Sequence, residues 1–134
     1  MTEIQITRAI PAPAEQVWEI LKTFRLDYFP GYPHTVTGEG VGAERTFSLP
    51  NGEMTERLVS FDDQAMTLTY EIVAGPWPVR DYLATIRVED SGGDAEVAWS
   101  AAFDTEGASE EKAVELVSGT FKMNLRAIEK FLAA

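Results

Sequence analysis

Cysteine is absent from this sequence, and histidine occurs only once, at position 34. Without cysteine there can be no disulfide and no thiolate metal site. One histidine excludes metal sites built on paired histidines, and its Pro-rich surroundings offer no Ser–His–Asp arrangement. The turn Asp90–Asp94 is too short for a calcium loop. We therefore expect no metal and no cofactor, and we expect His34 to be a surface residue.

Basic residues are scarce: there are 11 Lys and Arg against 22 Asp and Glu, which gives a formal net charge of −11. A surface of this sign repels nucleic-acid phosphates and anionic lipid headgroups. No apolar run approaches the roughly 20 residues that span a bilayer, and the alternating segment Met1–Ile10 does not resemble a signal peptide. We expect no nucleic-acid partner, no stable membrane insertion, a cytoplasmic location, and a monomer or weak homodimer.

The length of 134 residues suits one domain, which we expect to span residues 1–134. Polar and apolar residues alternate over Glu3–Ile10 and predict the first strand. Prolines end this strand, and apolar residues at helical spacing predict a first helix that ends near Lys22. The segment Phe24–Tyr32 is rich in aromatic residues and broken by proline and glycine. We interpret it as a second short helix or a turn that closes one end of the domain.

The middle of the chain has the pattern of an antiparallel meander, in which short segments of β-forming residues alternate with tight turns. The predicted strands are Ala43–Leu49, Glu53–Phe61, Met66–Val73, Tyr82–Val88 and Glu96–Phe103. Glycines at 38, 40 and 42 loosely resemble a phosphate-binding loop. A strand rather than a helix follows them, which favours a glycine-rich hairpin.

The last segment predicts one long helix from Ser109 to about Leu132. Ser109 is a suitable N-cap, and Glu110 and Glu111 suit the positive end of the helix dipole. Apolar residues then recur every three or four positions and form a wide apolar stripe. Such a stripe is expected of a helix that a curved sheet surrounds.

The order of these elements, together with several motifs, resembles the START-like (SRPBCC) superfamily and its polyketide cyclase/dehydrase-like branch. The motifs are Ile10–Trp18, Gly40–Arg45, Glu56–Leu58 with Asp62-Asp63, Tyr70–Tyr82 and Phe121–Leu125. The resemblance implies an α+β helix-grip fold. In this fold a curved antiparallel sheet of about seven strands wraps around a long C-terminal helix, with two short helices after strand 1. Family members include lipid carriers, aromatase/cyclases and hormone receptors, so the resemblance does not fix one function.

The sequence is also similar to the plant abscisic acid receptors, with instructive departures. Those receptors place a lysine in the pocket to meet the ligand carboxylate, and the matching position here is Gly31. Their His-Arg-Leu latch reads Trp77-Pro78-Val79 in this sequence. Hormone sensing is therefore not expected to carry over. A gate at Leu49–Gly52, opposite Trp77–Val79, is the geometry that the resemblance implies.

Strand periodicity predicts which side chains point toward a central cavity, because alternate residues share one face. Most of them are aromatic or aliphatic, with a few polar groups, which is typical of small-molecule sites. The candidate ligand-binding residues are Arg45, Phe47, Leu49, Met54, Glu56, Tyr70, Ile72, Trp77, Val79, Tyr82, Trp99, Ala101, Phe103, Leu116, Thr120 and Asn124. The alternative is a filled core without a cavity.

Arg45 and Glu56 flank the turn Pro50-Asn51-Gly52. An even-numbered hairpin loop places both on one face, whereas an odd-numbered loop places them on opposite faces. If both are buried, they should be bonded to each other, because an unpaired buried charge is rarely tolerated. Such a pair can be a structural bridge or part of a ligand site.

Two classes of function remain open. The first is a binding or carrier module for a mostly apolar, neutral small molecule. The second is a cofactor-independent cyclase or dehydratase, with Glu56 or Tyr82 as acid/base and Arg45 polarising a carbonyl. The environment of Glu56 discriminates between them, because a catalytic carboxylate must be free to meet a substrate.

Overall fold

A computed structural model describes all 134 residues, which form seven strands and two helices. The elements in chain order are β1 (Thr2–Ile10), α1 (Ala14–Leu21), β2 (His34–Thr37), β3 (Glu44–Leu49), β4 (Gly52–Asp62), β5 (Thr67–Ala74), β6 (Val79–Ser91), β7 (Asp94–Thr105) and α2 (Glu110–Ala133). The strands make one antiparallel sheet in the order β1-β7-β6-β5-β4-β3-β2. This is the helix-grip arrangement: a curved sheet with a long C-terminal helix, as expected from the sequence.

Helix α2 is built as its sequence predicts. The Ser109 side chain accepts a hydrogen bond from the Lys112 backbone N–H at 3.2 Å and caps the first turn. Its apolar stripe is buried against the sheet, with Val117, Phe121 and Leu125 among its fully covered residues. The Phe121 ring stacks on Trp99 of β7, with 5.5 Å between the ring centroids. Neither α2 nor the shorter α1 combines the length and hydropathy that crossing a membrane requires.

The connection between α1 and β2 differs from the prediction of two short helices after the first strand. Only α1 is helical, and residues 22–33 form a series of turns. Phe24 and Gly31 have φ angles of 60° and 78°, which a right-handed helix does not contain. Pro30 and Pro33 also lack the N–H groups that a helix would use. We call residues 24–33 the wall segment.

Strand β2 is the element that sequence periodicity did not reveal. It has four residues and forms one edge of the sheet, pairing only with β3. Four residues between Pro33 and Gly38 are too few to display a convincing alternation. Strand β6 is also longer than predicted, and its pairing with β7 shifts register between Arg80 and Leu83.

Candidate ligand-binding cavity

A cavity of about 740 Å³ lies between the concave face of the sheet, helix α2 and the wall segment. The space is within the range of sites that hold drug-sized molecules. The alternative expectation, a filled core without a cavity, is therefore not what the structure shows. The lining residues are Leu26, Phe29, Pro30, Gly31, Tyr32, Pro33, Arg45, Phe47, Leu49, Pro50, Asn51, Glu56, Tyr70, Trp77, Trp99, Leu116, Thr120, Phe121, Met123 and Asn124.

Most of the residues predicted from strand and helix periodicity lie on this lining. They are Arg45, Phe47, Leu49, Glu56, Tyr70, Trp77, Trp99, Leu116, Thr120 and Asn124. They come from β3, β4, β5, the loop before β6, β7 and α2, so the structure brings together positions far apart in sequence. Their roles toward a ligand stay predictions.

The other predicted residues, Met54, Ile72, Val79, Tyr82, Ala101 and Phe103, do not line the cavity. Met54 packs under the loop between β5 and β6, so closely that a Cβ on Gly75 would lie 2.6 Å from its sulfur. The Tyr82 ring stacks on Phe103, at 5.9 Å between centroids. Tyr82 also contacts the rings of Tyr70 and Trp77, which do reach the cavity. Facing inward therefore puts a residue in the core, but only some core positions reach the empty space.

The wall segment supplies much of the lining that sequence reasoning missed, notably Leu26, Phe29 and Tyr32. Its aromatic and proline content was a usable signal, since it indicated a closure at one end of the domain. The segment is tied to the sheet because the Tyr32 hydroxyl donates a hydrogen bond to the Ser48 carbonyl. Its contribution could not be read from periodicity, because it has none.

Arg45 and Glu56 are the two charged residues on the lining, with 4% and 5% of their surface exposed. They are directly opposed partners in the pairing of β3 with β4, across a two-residue loop. Arg45 Nε donates a hydrogen bond of 2.7 Å to Glu56 Oε1. Burial lowers the Arg45 pKa, but the charge and hydrogen bond of Glu56, together with the nearby Tyr28 and Tyr70, outweigh it, so the pKa lies above its ordinary value. Arg45 is thus a fixed cation.

Phe24 helps to hold the Arg45 guanidinium in place. The Phe24 ring lies 4.2 Å from the guanidinium carbon, and the Tyr70 ring lies 5.0 Å from it. The Phe24 carbonyl also accepts a long hydrogen bond of 3.5 Å from Arg45 Nη1. Phe24 has a φ of 60°, which is unfavourable for an aromatic residue. Local backbone strain thus accompanies the placement of a buried charge.

The bond between Arg45 and Glu56 leaves part of each group unused. Arg45 Nη2 and Glu56 Oε2 make no hydrogen bond within the protein. The only side-chain nitrogen or oxygen that is both shielded from water and without a partner is the Tyr82 hydroxyl. Nη2 and Oε2 therefore keep surface that a molecule in the cavity can reach. The site offers one donor edge and one acceptor oxygen with no net charge between them.

Two further hydrogen-bonded groups flank the cavity. Trp99 Nε1 donates to the Tyr70 hydroxyl at 2.9 Å. The Tyr28 hydroxyl donates to Asn124 Oδ1 at 2.7 Å, and Asn124 Nδ2 donates to the Thr120 carbonyl at 2.8 Å. Burial raises the pKa of Tyr28 and of Tyr70 well above the ordinary value, so both stay neutral.

Tyr82 carries a buried hydroxyl with no hydrogen-bond partner. Burial, reinforced by neighbouring Tyr70, raises its pKa well above the ordinary value. The residue follows Asp81, whose φ of 52° lies at the register shift in β6. Shielded behind Tyr70 and Trp77, the hydroxyl does not meet a molecule in the cavity, which argues against the predicted acid/base role of Tyr82.

The turn between β3 and β4 meets the loop between β5 and β6 at one side of the cavity. A Cβ built on Gly52 would lie 3.7 Å from the ring of Pro76, so the two segments lie close together. Leu49, Pro50 and Trp77, from these segments, line the cavity. The gate formed by Leu49–Gly52 and Trp77–Val79 stays a prediction, and these two segments are neighbours at the cavity.

His34 is not the surface residue that its sequence context predicts. Its side chain is only 6% exposed. Its Nδ1 lies 2.9 Å from the Tyr32 carbonyl, and its Nε2 accepts a hydrogen bond of 3.1 Å from the Leu26 N–H. The buried ring supplies two hydrogen bonds to the backbone of the wall segment, which has few backbone hydrogen bonds of its own.

Comparison with known proteins agrees with the family resemblance seen in the sequence. A family described as "Polyketide cyclase / dehydrase and lipid transport" matches residues 1–132. The abscisic acid receptor PYL2 of Arabidopsis thaliana is 31% identical, over 92% of this chain and 73% of the receptor.

Solved structures agree with this placement. The protein XoxI from Bacillus cereus is similar with a TM-score of 0.86 and 30% identity, over 98% of this chain and 96% of that one. Norcoclaurine synthase from Thalictrum flavum, solved with dopamine and hydroxybenzaldehyde, has a TM-score of 0.77. At 20% identity, over 98% of this chain and 86% of that one, the second likeness concerns the fold alone.

Proposed function

The chain belongs to the polyketide cyclase/dehydrase and lipid transport family, and from that premise we propose that it is a binding or carrier module for a small molecule. The ligand is mostly apolar and uncharged, in the class of lipids, isoprenoids or aromatic polyketide-like compounds. It lies in the cavity between the sheet and α2, with its polar end at Arg45 and Glu56.

The observation that carries this proposal is the charge balance of the cavity. Arg45 is the only cation on the lining and Glu56 the only anion, and each is the other's hydrogen-bond partner. The remaining surface is largely aromatic, aliphatic or proline. A neutral ligand can use the free Nη2 and Oε2 without leaving any charge unpaired. An ionised ligand would need a counter-ion that the lining does not hold.

One relative is named as an abscisic acid receptor, but we do not include hormone sensing in the function proposed for this chain. The resemblance implies that Gly31, which lies on the cavity lining and has no side chain, takes the place of the pocket lysine of those receptors. Trp77-Pro78-Val79 replaces their latch. What supports a shared role in binding a small molecule is the cavity between the sheet and α2.

Native mass spectrometry of the purified protein, followed by solvent extraction, tests the proposal. We expect an added mass that disappears on extraction and corresponds to a neutral compound. The Thr120→Trp variant, which fills the cavity from α2, should lose this mass. Lys122→Trp, which adds the same ring to an exposed position of α2, should keep it. Equal ligand loading of both variants would contradict the cavity as the binding site.

A second function, cyclase or dehydratase chemistry, is favoured by one observation: Glu56 Oε2 has no protein partner and borders the cavity. A carboxylate in that position can take a proton from a bound substrate while Arg45 Nη2 polarises a carbonyl. Glu56→Gln keeps an oxygen that can accept from Arg45 but cannot act as a base.

The extracted compound, or a polyketide-like analogue of it, provides the assay that separates the two functions. For an enzyme, Glu56→Gln should bind the compound and leave it unchanged, whereas the unmodified protein converts it. For a carrier, both proteins return the compound intact. Chromatography of the mixture before and after incubation distinguishes these results.

A further inference from the structure

The imidazole of His34 links Leu26 to Tyr32, near the two ends of the wall segment. Nε2 accepts from the Leu26 N–H at 3.1 Å, and Nδ1 lies 2.9 Å from the Tyr32 carbonyl. Because a carbonyl only accepts, Nδ1 carries the proton. Because the Leu26 N–H only donates, Nε2 presents its lone pair. The structure therefore requires a neutral imidazole in one defined tautomer.

A proton on Nε2 is incompatible with this arrangement. It would occupy the lone pair that the Leu26 N–H uses, and two donors would then face each other. An alternative partner is already present, since Asp27 Oδ1 lies 3.5 Å from Nε2. The imidazole thus has two competing partners: the Leu26 N–H when neutral and the Asp27 carboxylate when protonated.

Asp27 is the acidic side chain in ion-pair range of the His34 ring, with Oδ1 3.5 Å from Nε2. Asp27 is held as a carboxylate by Arg25, whose Nε donates to Oδ2 at 2.8 Å, a hydrogen bond that lowers the Asp27 pKa. The Tyr32 hydroxyl points away, to the Ser48 carbonyl. On β3 the residue paired with His34 is Phe47, which has no charge. Asp27 is therefore the group that meets a protonated His34.

The position of this histidine connects it to the cavity. Leu26 and Tyr32, its two backbone partners, both line the cavity, as do Phe29, Pro30 and Gly31 between them. Side chains tie the segment to other elements at Tyr28, which donates to Asn124 of α2, and at Tyr32, which donates to Ser48 of β3. Its backbone hydrogen bonds between Leu26 and Tyr32 are local turns, Phe29 N–H to the Leu26 carbonyl and Tyr32 N–H to the Phe29 carbonyl. The His34 bonds close the ends of this stretch and hold its shape.

We infer that His34 is a pH-responsive clasp on the cavity wall. When neutral, it ties Leu26 and Tyr32 together and keeps the wall closed on the ligand. When protonated, it turns from the Leu26 N–H to Asp27 and loosens the wall, so that an apolar ligand is held more weakly. The tests below span pH 5.5 to 7.5, within the range in which histidine side chains in general change charge. The ligand part of this inference rests on the proposed function.

The direction of the pH effect on ligand binding follows from whether neutral or protonated His34 favours the closed wall. The closed wall uses the Nε2 lone pair, so protons compete with closure and acidification favours the open wall. By reciprocity, a ligand that favours the closed wall must expel a proton from His34 when it binds. Binding should therefore weaken, not strengthen, as the pH falls.

Nitrogen-15 NMR of the imidazole tests the clasp without any ligand. At pH 7.5 we expect a proton on Nδ1 and a bare Nε2, and a strongly protected Leu26 amide in hydrogen exchange. As His34 takes up its second proton, the protection factor of Leu26 should fall with the same midpoint. A proton on Nε2 at pH 7.5, or Leu26 protection that does not follow His34 protonation, would overturn the inference.

Two variants separate the clasp from general acid sensitivity. In His34→Gln the side-chain oxygen can still accept from Leu26 but cannot take up a proton, so Leu26 protection should no longer depend on pH. Asp27→Asn, at an exposed position, removes the partner of the protonated ring and should move the midpoint to lower pH. A pH response of Leu26 that is unchanged in both variants would contradict the role of His34.

The ligand arm uses the neutral dye N-phenyl-1-naphthylamine, whose fluorescence rises in apolar surroundings. Its affinity should fall by about fivefold or more between pH 7.5 and 5.5, the lower end of ordinary coupling between sites. The affinity in His34→Gln should stay constant. If the dye binds at neither pH, the proposed cavity function fails, while the tautomer and the Leu26 protection still decide the clasp. Constant affinity in the unmodified protein would overturn the link between the clasp and the ligand.

Discussion

Arg45 and Glu56 are opposed residues of one hairpin, and their side chains meet on its buried face through a single hydrogen bond of 2.7 Å. On the exposed face of the same hairpin, Arg57 bridges Glu44 and Glu71 at 3.4 and 3.0 Å. The two clusters have the same chemistry and differ chiefly in burial. Removing the arginine from each cluster therefore compares the stability lost at a buried ion pair with that lost at an exposed one.

Arg45→Leu should lower the free energy of unfolding by about 3–5 kcal/mol, because it leaves the Glu56 carboxylate buried without its cation. Arg57→Leu should cost about 1 kcal/mol or less, since its partners remain in water. Urea denaturation of the three proteins measures both values. Similar losses in the two variants would contradict the assignment of Arg45 as the buried partner.

The double variant Arg45→Leu/Glu56→Leu separates the cost of an unpaired charge from the loss of packing. Removing both charges should recover much of the stability lost in Arg45→Leu, because apolar residues replace a buried ion pair at little net cost. A double variant as unstable as Arg45→Leu would show that the packing of Arg45 against Phe24 and Tyr70 dominates instead.

The sequence predicts the contact between Arg45 and Glu56 on the condition that the loop is even-numbered, because the contact depends on the parity of one turn. Leu49 pairs with Gly52, so Pro50 and Asn51 form a two-residue loop and both charges fall on one face. The same period-two rule identified the inward faces of β3 to β7 and the stripe of α2. It works where each element is regular and long enough to show its repeat.

The wall segment shows where such reasoning stops. Its shape depends on the positive φ of Phe24 and Gly31 and on side chains that bond to backbone far along the chain. None of these features has a sequence period. The same limit explains why Tyr82 was expected in the cavity. Its inward direction follows from the strand, but its cover by Tyr70 and Trp77 follows from packing in three dimensions.

Tyr82→Phe should leave stability unchanged or raise it, by at most about 1–3 kcal/mol. The reason is that its hydroxyl is buried without a hydrogen bond, so the free energy lost on removing it from water is not offset. Tyr70→Phe is the matched control, since it removes the acceptor of Trp99 Nε1 and leaves that N–H unpaired. It should cost about 1–3 kcal/mol. Thermal and urea unfolding compare the two, and a clear loss in Tyr82→Phe would show that its hydroxyl has a partner, such as bound water.

Hydrogen exchange should detect the gate formed by Leu49–Gly52 and Gly75–Asp81. Both loops should exchange faster than the strands that they join, because lids come from the low-stability end of a fold. Saturation with the extracted ligand should protect the two loops together, since Gly52 and Pro76 lie close to each other. If neither loop gains protection at saturation, the gate does not exist.

The charge preference of the cavity can be measured with two dyes that share one ring system. N-phenyl-1-naphthylamine is neutral, whereas 8-anilinonaphthalene-1-sulfonate adds an ionised sulfonate to the same rings. The single cation of the lining, Arg45, is already bonded to Glu56, so a buried sulfonate would lack a counter-ion and would cost several kcal/mol. The protein's net charge of −11 also repels the anion on approach. We therefore expect the neutral dye to bind more tightly and to raise the thermal unfolding midpoint more.

The preference should persist at high salt, because screening removes the long-range repulsion but not the cost of burying the charge. Tighter binding of the sulfonate would mean that Arg45 leaves Glu56 to meet a ligand, and that the cavity selects anions.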